Sequence, residues 1–169
     1  WPQSPGNTNQ PWTTVMQWDS YKMREWNQIS YGMKSASFEP YLDLPQHCME
    51  RFELALGSAS APREQLSALG WQLLDPLSVS RSPGDYQGFI AQSKGEWSIA
   101  KQGYVASYSG WFSERSAAYL ASGRPVVLQD TGFTRFLEVG NGLLAFSTPQ
   151  EALAALAEVH AAYRSEERR

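Results

Sequence analysis

Ser113, Glu114, Arg115 and Ser116 follow the polar loop Ser107-Tyr108-Ser109-Gly110 and the pair Trp111-Phe112, and they open a run of small residues. A serine at that place caps a helix, and the unpaired N–H groups of the first turn then face outward with the positive end of the dipole. An anion is the natural ligand of such an end, and Arg115 is placed to give a diphosphate a bidentate contact. The same residues also fit a plain cap, with Arg115 paired to a neighbouring carboxylate.

Asp130, Thr131 and Gly132 come directly after Val126-Val127-Leu128-Gln129. The carboxylate and hydroxyl there could meet a ligand hydroxyl, and Gly132 admits a ligand close to the backbone. An ordinary polar turn is the competing reading. Glu96 and Lys101 flank another strand end, where they face the same crevice or form a surface ion pair. Gly57 and Ser58 form a small loop before a helix, which suits either a phosphate or a tight turn.

Other chemistries find no support. Gly57-Ser58-Ala59-Ser60-Ala61-Pro62 lacks the three glycines of a dinucleotide fingerprint, and there is no phosphate loop of the Walker type. His47 and His160 share no zinc-ligand spacing, so no metal site is expected. Cys48 beside His47 is a dipeptide, not an oriented nucleophile and base. A serine-hydrolase elbow is missing too.

The elements that must position these residues recur regularly from Phe52 onward. Strands are expected over 52–56, 71–74, 96–100, 125–128 and 143–146. Helices are expected over 62–69, 83–93 with Ser82 as cap, 113–122, and 149–163 behind Ser147 or Thr148, with a helical turn over 134–139. Gly70 and Gly123 read as helix stops. Alternation with short links implies a parallel sheet covered on both faces: a Rossmann-like three-layer α/β/α sandwich.

Upstream lies a different texture. Trp1, Trp12, Trp18, Tyr21, Trp26, Tyr31, Phe38 and Tyr41 crowd among polar residues. We read residues 1–45 as an aromatic-rich arm or interdomain linker, either packing or stacking on a ligand, and residues 46–169 as the α/β domain. The sequence opens on Trp1, which reads as a piece of a larger enzyme.

With 169 residues, 42% hydrophobic and 18% charged, the chain belongs with globular domains. Its net charge of −3, without a basic cluster, speaks against nucleic acid as a partner. No apolar run is long enough to span a bilayer. The mixed tail Arg164 to Arg169 reads as a solvated helix end. One cysteine, Cys48, excludes an internal disulfide and fits a reducing, cytoplasmic setting.

Three segments, Ser109-Gly110-Trp111-Phe112-Ser113, Tyr119-Leu120-Ala121-Ser122-Gly123-Arg124-Pro125-Val126-Val127 and Gln129-Asp130-Thr131-Gly132-Phe133, together with 94–105 and 142–146, resemble the carboxyl-terminal, donor-binding domain of bacterial GT-B glycosyltransferases. Thr13 to Trp18 is similar to that group's linker into the donor domain. The resemblance implies a nucleotide-sugar as donor substrate, no separate cofactor or metal, and a pocket of Gly57, Ser58, Glu96, Lys101, Ser113, Arg115, Ser116, Asp130, Thr131 and Gly132. It also implies an amino-terminal acceptor domain of on the order of 150 residues as the missing partner surface. The parent would then be a glycosyltransferase and this piece alone inactive. Members of the group commonly carry two glutamates around the helix before the Ala-x-Gly-x-Pro element; the corresponding places here are Trp111 and Ala118. A non-catalytic Rossmann-like binding or assembly module of the same descent is the alternative.

Overall fold

The computed structural model describes residues 6–166. Trp1 and the last three residues of the charged tail lie outside them. Six strands form one parallel sheet: β1 (Trp12–Gln17), β4 (Phe52–Gly57), β5 (Gln72–Leu74), β6 (Gly95–Ser98), β7 (Val126–Gln129) and β8 (Leu143–Phe146). Their spatial order is β5-β4-β1-β6-β7-β8. Counting sheet strands alone, that is the doubly wound order of a Rossmann-like fold, which reverses direction between β1 and β6. A short antiparallel hairpin, β2 (Arg24–Trp26) and β3 (Ile29–Tyr31), is inserted after β1.

The interior position of β1 corrects the reading of residues 1–45 as an arm ahead of the α/β domain. Residues 12–17 pair with all six residues of β4 on one side and with Gly95 and Glu96 on the other. Trp12, Trp18, Phe38 and Tyr41 are core residues of the same domain. Those four rings therefore pack on the sheet that follows, whereas Tyr21 and Trp26 stay exposed.

The helices fall where capping chemistry allows. Ser82 accepts from the Asp85 N–H at the start of α4 (Pro83–Ala91), and Ser113 accepts from the Arg115 N–H at the start of α6 (Glu114–Ala121). In α7 (Pro149–Glu166) the Glu151 N–H donates to Thr148 Oγ1 while the Ser147 and Thr148 N–H groups donate to the Glu151 carboxylate, a reciprocal cap. Gly70 and Gly123 have φ of +102° and +71° and end α2 (Arg63–Ala68) and α6 as expected. Unforeseen are α1 (Lys34–Phe38), α3 (Pro76–Ser80) and α5 (Gln102–Ala106). The turn expected over 134–139 is a 3-10 turn at Phe133–Arg135.

Period two along the strands sorts the core into two layers. Val127 and Trp97 face one layer with Phe52, Phe146 and the α7 residues Ala152, Leu156 and Val159. Val126 and Leu128 face the other with Tyr119, Ile90 and Phe133. Trp97 is the hub of the first layer, with ring centroids of Phe38, Tyr41, Phe52, Trp71 and Phe146 between 5.2 and 6.1 Å away. Its neighbours on β6, Glu96 and Ser98, point to the opposite layer and are polar yet buried.

At the amino edge of the sheet a buried ionic knot ties distant parts of the chain. Lys94, just ahead of β6, places Nζ 2.6 Å from Glu50 Oε2, and His160 of α7 has Nδ1 2.7 Å from Glu50 Oε1. The Trp12 indole N–H also donates to Glu50, and the Tyr163 hydroxyl donates to the Lys94 carbonyl. Among the described residues no helix is long and apolar enough to cross a membrane.

Candidate ligand-binding site

A cleft opens at the carboxyl edge, where the strand order reverses. β1 and β6 are paired only at Trp12–Gly95 and Thr13–Glu96, so their carboxyl halves part. Into that gap come Lys34 from the first turn of α1, the loop Ser98 to Lys101 after β6, and Gln129 and Thr131 after β7. The amino end of α6 closes one side. Together they line a cavity of about 310 Å3, the small end of the size range for ligand pockets.

Glu96 and Arg115 form the charged floor. Glu96 is fully buried, and its Oε1 lies 2.6 Å from Arg115 Nε and accepts from the Thr14 hydroxyl at 3.3 Å. Arg115 Nη2 donates to Ser98 Oγ at 3.1 Å, and Lys34 Nζ reaches the same hydroxyl at 3.4 Å. Burial works against the Arg115 charge, but the adjacent Glu96 more than offsets it and holds the guanidinium above its ordinary pKa. Among the described residues Lys34 has no such carboxylate partner. Burial first, then the Arg115 charge, push its ammonium well below the usual lysine range, against a smaller opposing pull from Glu96.

The walls combine cations, hydroxyls and aromatic rings. Lys101 rests over the faces of Tyr21 and Tyr104, 5.1 and 5.5 Å from their centroids. Tyr104 and Trp111 stack at 5.1 Å at the mouth. Ser113 to Ser116, the cap and first turn of α6, line the cavity, and Ser116 is fully buried with a hydroxyl that has no hydrogen-bond partner among the described residues. Glu96 Oε2 is also without one. Lys34, Lys101 and Arg115 stand in the cleft with Glu114, above the buried Glu96.

Five of the residues singled out by sequence, Lys101, Ser113, Arg115, Ser116 and Thr131, line this one cavity, and Glu96 lies beneath it. The others are occupied elsewhere. Asp130 accepts from the Gly132 N–H at 2.8 Å and from the Thr134 hydroxyl at 3.0 Å, so its carboxylate folds its own loop. Thr131, although it lines the cleft, uses its hydroxyl to donate to the Trp111 carbonyl at 2.6 Å and so pins the Trp111 loop in place. Gly132, at φ +89°, is close to Tyr108, where a Cβ would crowd the ring at 3.1 Å. Gly57 and Ser58 sit at the end of β4, on the far side of β1; the Ser58 hydroxyl donates to the Asp19 carbonyl and accepts from the Asp19 N–H, and Gln17 fills the space above Gly57.

Sequence reasoning missed Lys34, Ser98, Tyr104 and Gln129 as cleft residues. For Ser98 a signal existed: Glu96 and Ser98 alternate with Trp97 in a strand otherwise expected to be buried, which marks a polar function on one face. Lys34 lay in the supposed arm, and only its setting between Met33 and Phe38 hinted at burial.

Among the described residues no group of three or more His, Cys, Asp and Glu side chains is placed to hold a metal ion. Compared with known proteins, the chain matches no family model and no curated protein. Fold and site together define a Rossmann-like α/β protein with a polar, cation-lined cleft at the carboxyl edge of its sheet.

Proposed function

We propose that this chain is the nucleotide-sugar-binding half of a bacterial, cytoplasmic glycosyltransferase, whose parent transfers a sugar from a nucleoside diphosphate to an acceptor held by another domain. One observation carries the reading: the amino end of α6, Arg115, Lys101 and the unpartnered Ser116 hydroxyl converge on one cleft at the reversal point of the sheet. Backbone N–H groups and fixed cations are the donor set a diphosphate requires. The Tyr104–Trp111 stack offers a flat apolar face for a base or sugar ring. Trp111 and Ala118 stand where the resembling enzymes carry glutamates, so sugar recognition would rest on hydroxyls and aromatics instead.

Transfer needs charge stabilisation at the departing diphosphate and an acceptor positioned in line. The cleft supplies the first. Titrating the protein with UDP- and GDP-sugars tests this directly, and binding in the micromolar to millimolar range is expected. A folded protein that binds neither at millimolar concentration overturns the reading.

The Glu96–Arg115 pair favours a second reading, a non-catalytic Rossmann-like binding or assembly module, because it uses the guanidinium internally. Donor binding separates the two, since the module would leave both nucleotide-sugars free.

A further inference from the structure

Lys34 is a buried primary amine at the floor of an open cleft, and among the described residues no carboxylate is paired with it. The nearby Glu96 gives its Oε1 to Arg115 at 2.6 Å, and among the described residues the amine's hydrogen bond is a long one, 3.4 Å to Ser98 Oγ. We infer that Lys34 is a carbonyl-reactive amine that forms an imine with a small aldehyde or ketone bearing a phosphate. The nitrogen adds to the carbonyl carbon, a C–N bond forms, and the carbonyl oxygen leaves as water carrying both amine hydrogens, with no oxidant or reductant involved. This goes beyond donor binding and does not rest on it.

Three features of the cleft suit that reaction. An amine must be unprotonated to attack, and lysines meet that condition when desolvated or set beside other cations. Lys34 has both: it is buried, Arg115 of α6 and Lys101 after β6 face it, and only Glu96 of β6 pulls the other way. The phosphate has a place to go, since Arg115, Lys101, Ser116 Oγ and the first turn of α6 line the same cavity. Its volume of about 310 Å3 admits a small phosphorylated carbonyl compound. Lys101, the other cleft amine, is already engaged, lying over the Tyr21 and Tyr104 rings at 5.1 and 5.5 Å.

Pyridoxal phosphate serves as an anionic aldehyde probe, with propanal as a neutral one; each adduct is trapped by borohydride or cyanoborohydride and located by peptide mass mapping. At neutral pH Lys34 is expected to be modified at least about tenfold faster than the exposed Lys22, since each unit of lowered pKa raises the free-amine fraction tenfold. Inorganic phosphate should slow the pyridoxal phosphate reaction and leave propanal unaffected. In Lys34→Met the fast phase should vanish; Lys34→Gln, which keeps a neutral polar end group but forms no imine, carries the same test if the methionine variant fails to fold. Modification of Lys34 no faster than Lys22, or a fast phase that maps to Lys101, overturns the assignment. Indifference of the pyridoxal phosphate reaction to phosphate overturns its anionic half.

Discussion

Arg115 Nε lies 2.6 Å from Glu96 Oε1, joining the first turn of α6 to the middle of β6 beneath the cleft. The two ends of this pair are unequal, because the Glu96 side chain is fully buried and that of Arg115 is 23% exposed. Arg115→Ala strands a buried carboxylate and should cost about 3 to 5 kcal/mol. Glu96→Gln leaves a guanidinium that can turn to water and should cost less. Urea denaturation orders the two. Their effects on anion binding should be opposite: Glu96→Gln frees Arg115 and tightens diphosphate binding, whereas Arg115→Ala weakens it, both readable by calorimetry.

Deleting residues 1–43 should abolish folding, since it removes the strand between β4 and β6 and the rings of Trp12, Trp18, Phe38 and Tyr41. Within the intact chain, Trp97→Ala should cost about 3 to 5 kcal/mol through the cavity it leaves among five aromatic neighbours. Trp97→Phe should cost less. Circular dichroism on the truncation and chemical denaturation of the point variants are the measurements; a folded, cooperative 44–169 fragment would show that β1 is dispensable.

Two buried tyrosines make the protein sensitive to alkali. Burial pushes the Tyr41 phenol up to about 12, and burial with the nearby Glu96 raises Tyr119 further. Unfolded tyrosine titrates near 10, so above that pH the unfolded chain releases protons that the folded one retains. Stability is fully present below pH ~10 and falls as pH rises through the folded values, by about 1.4 kcal/mol per pH unit for each such tyrosine. Tyr41→Phe should flatten that decline between pH 10 and 12 in denaturation curves.

Lys34 behaves with the opposite sign. Its folded pKa is depressed, so stability rises with pH through the window below the unfolded lysine value and is lost as pH falls through the folded one. Lys34→Met should therefore gain most over the parent at low pH, with the gap closing towards pH ~10.5. A gap that widens with pH would mean that the ammonium is stabilised in the cleft.

Most of the fold from Phe52 onward was legible, the short helices α3 and α5 excepted, because its strands are largely apolar and are bounded by glycine, proline or a capping serine. β1 was not. Thr13 and Thr14 sit at the centre of the sheet, buried because their hydroxyls are matched: Thr13 with Ser93 and Tyr119, Thr14 with Glu96. Polar residues satisfied by distant partners erase the apolar signature of an interior strand, and no local pattern reveals those partners. The site shows the same division. Ser113 and Arg115 were readable from a cap and its spacing, while Lys34 enters the cleft only through the topology that sets α1 beside β6.

The Lys94–Glu50–His160 knot sits at the amino edge, the full length of β6 away from the cleft. Removing Lys94 or Glu50 alone should cost about 3 to 5 kcal/mol and removing both should cost much less than the sum, measurable as a double-mutant cycle.

Because that knot fastens α7, β6 and the start of β4 at one edge, the loops of the other are relieved of holding the molecule together. The scaffold is thereby evolvable: a library randomised at positions 101, 104 and 111 samples new specificities on a background held by the core and by the opposite edge.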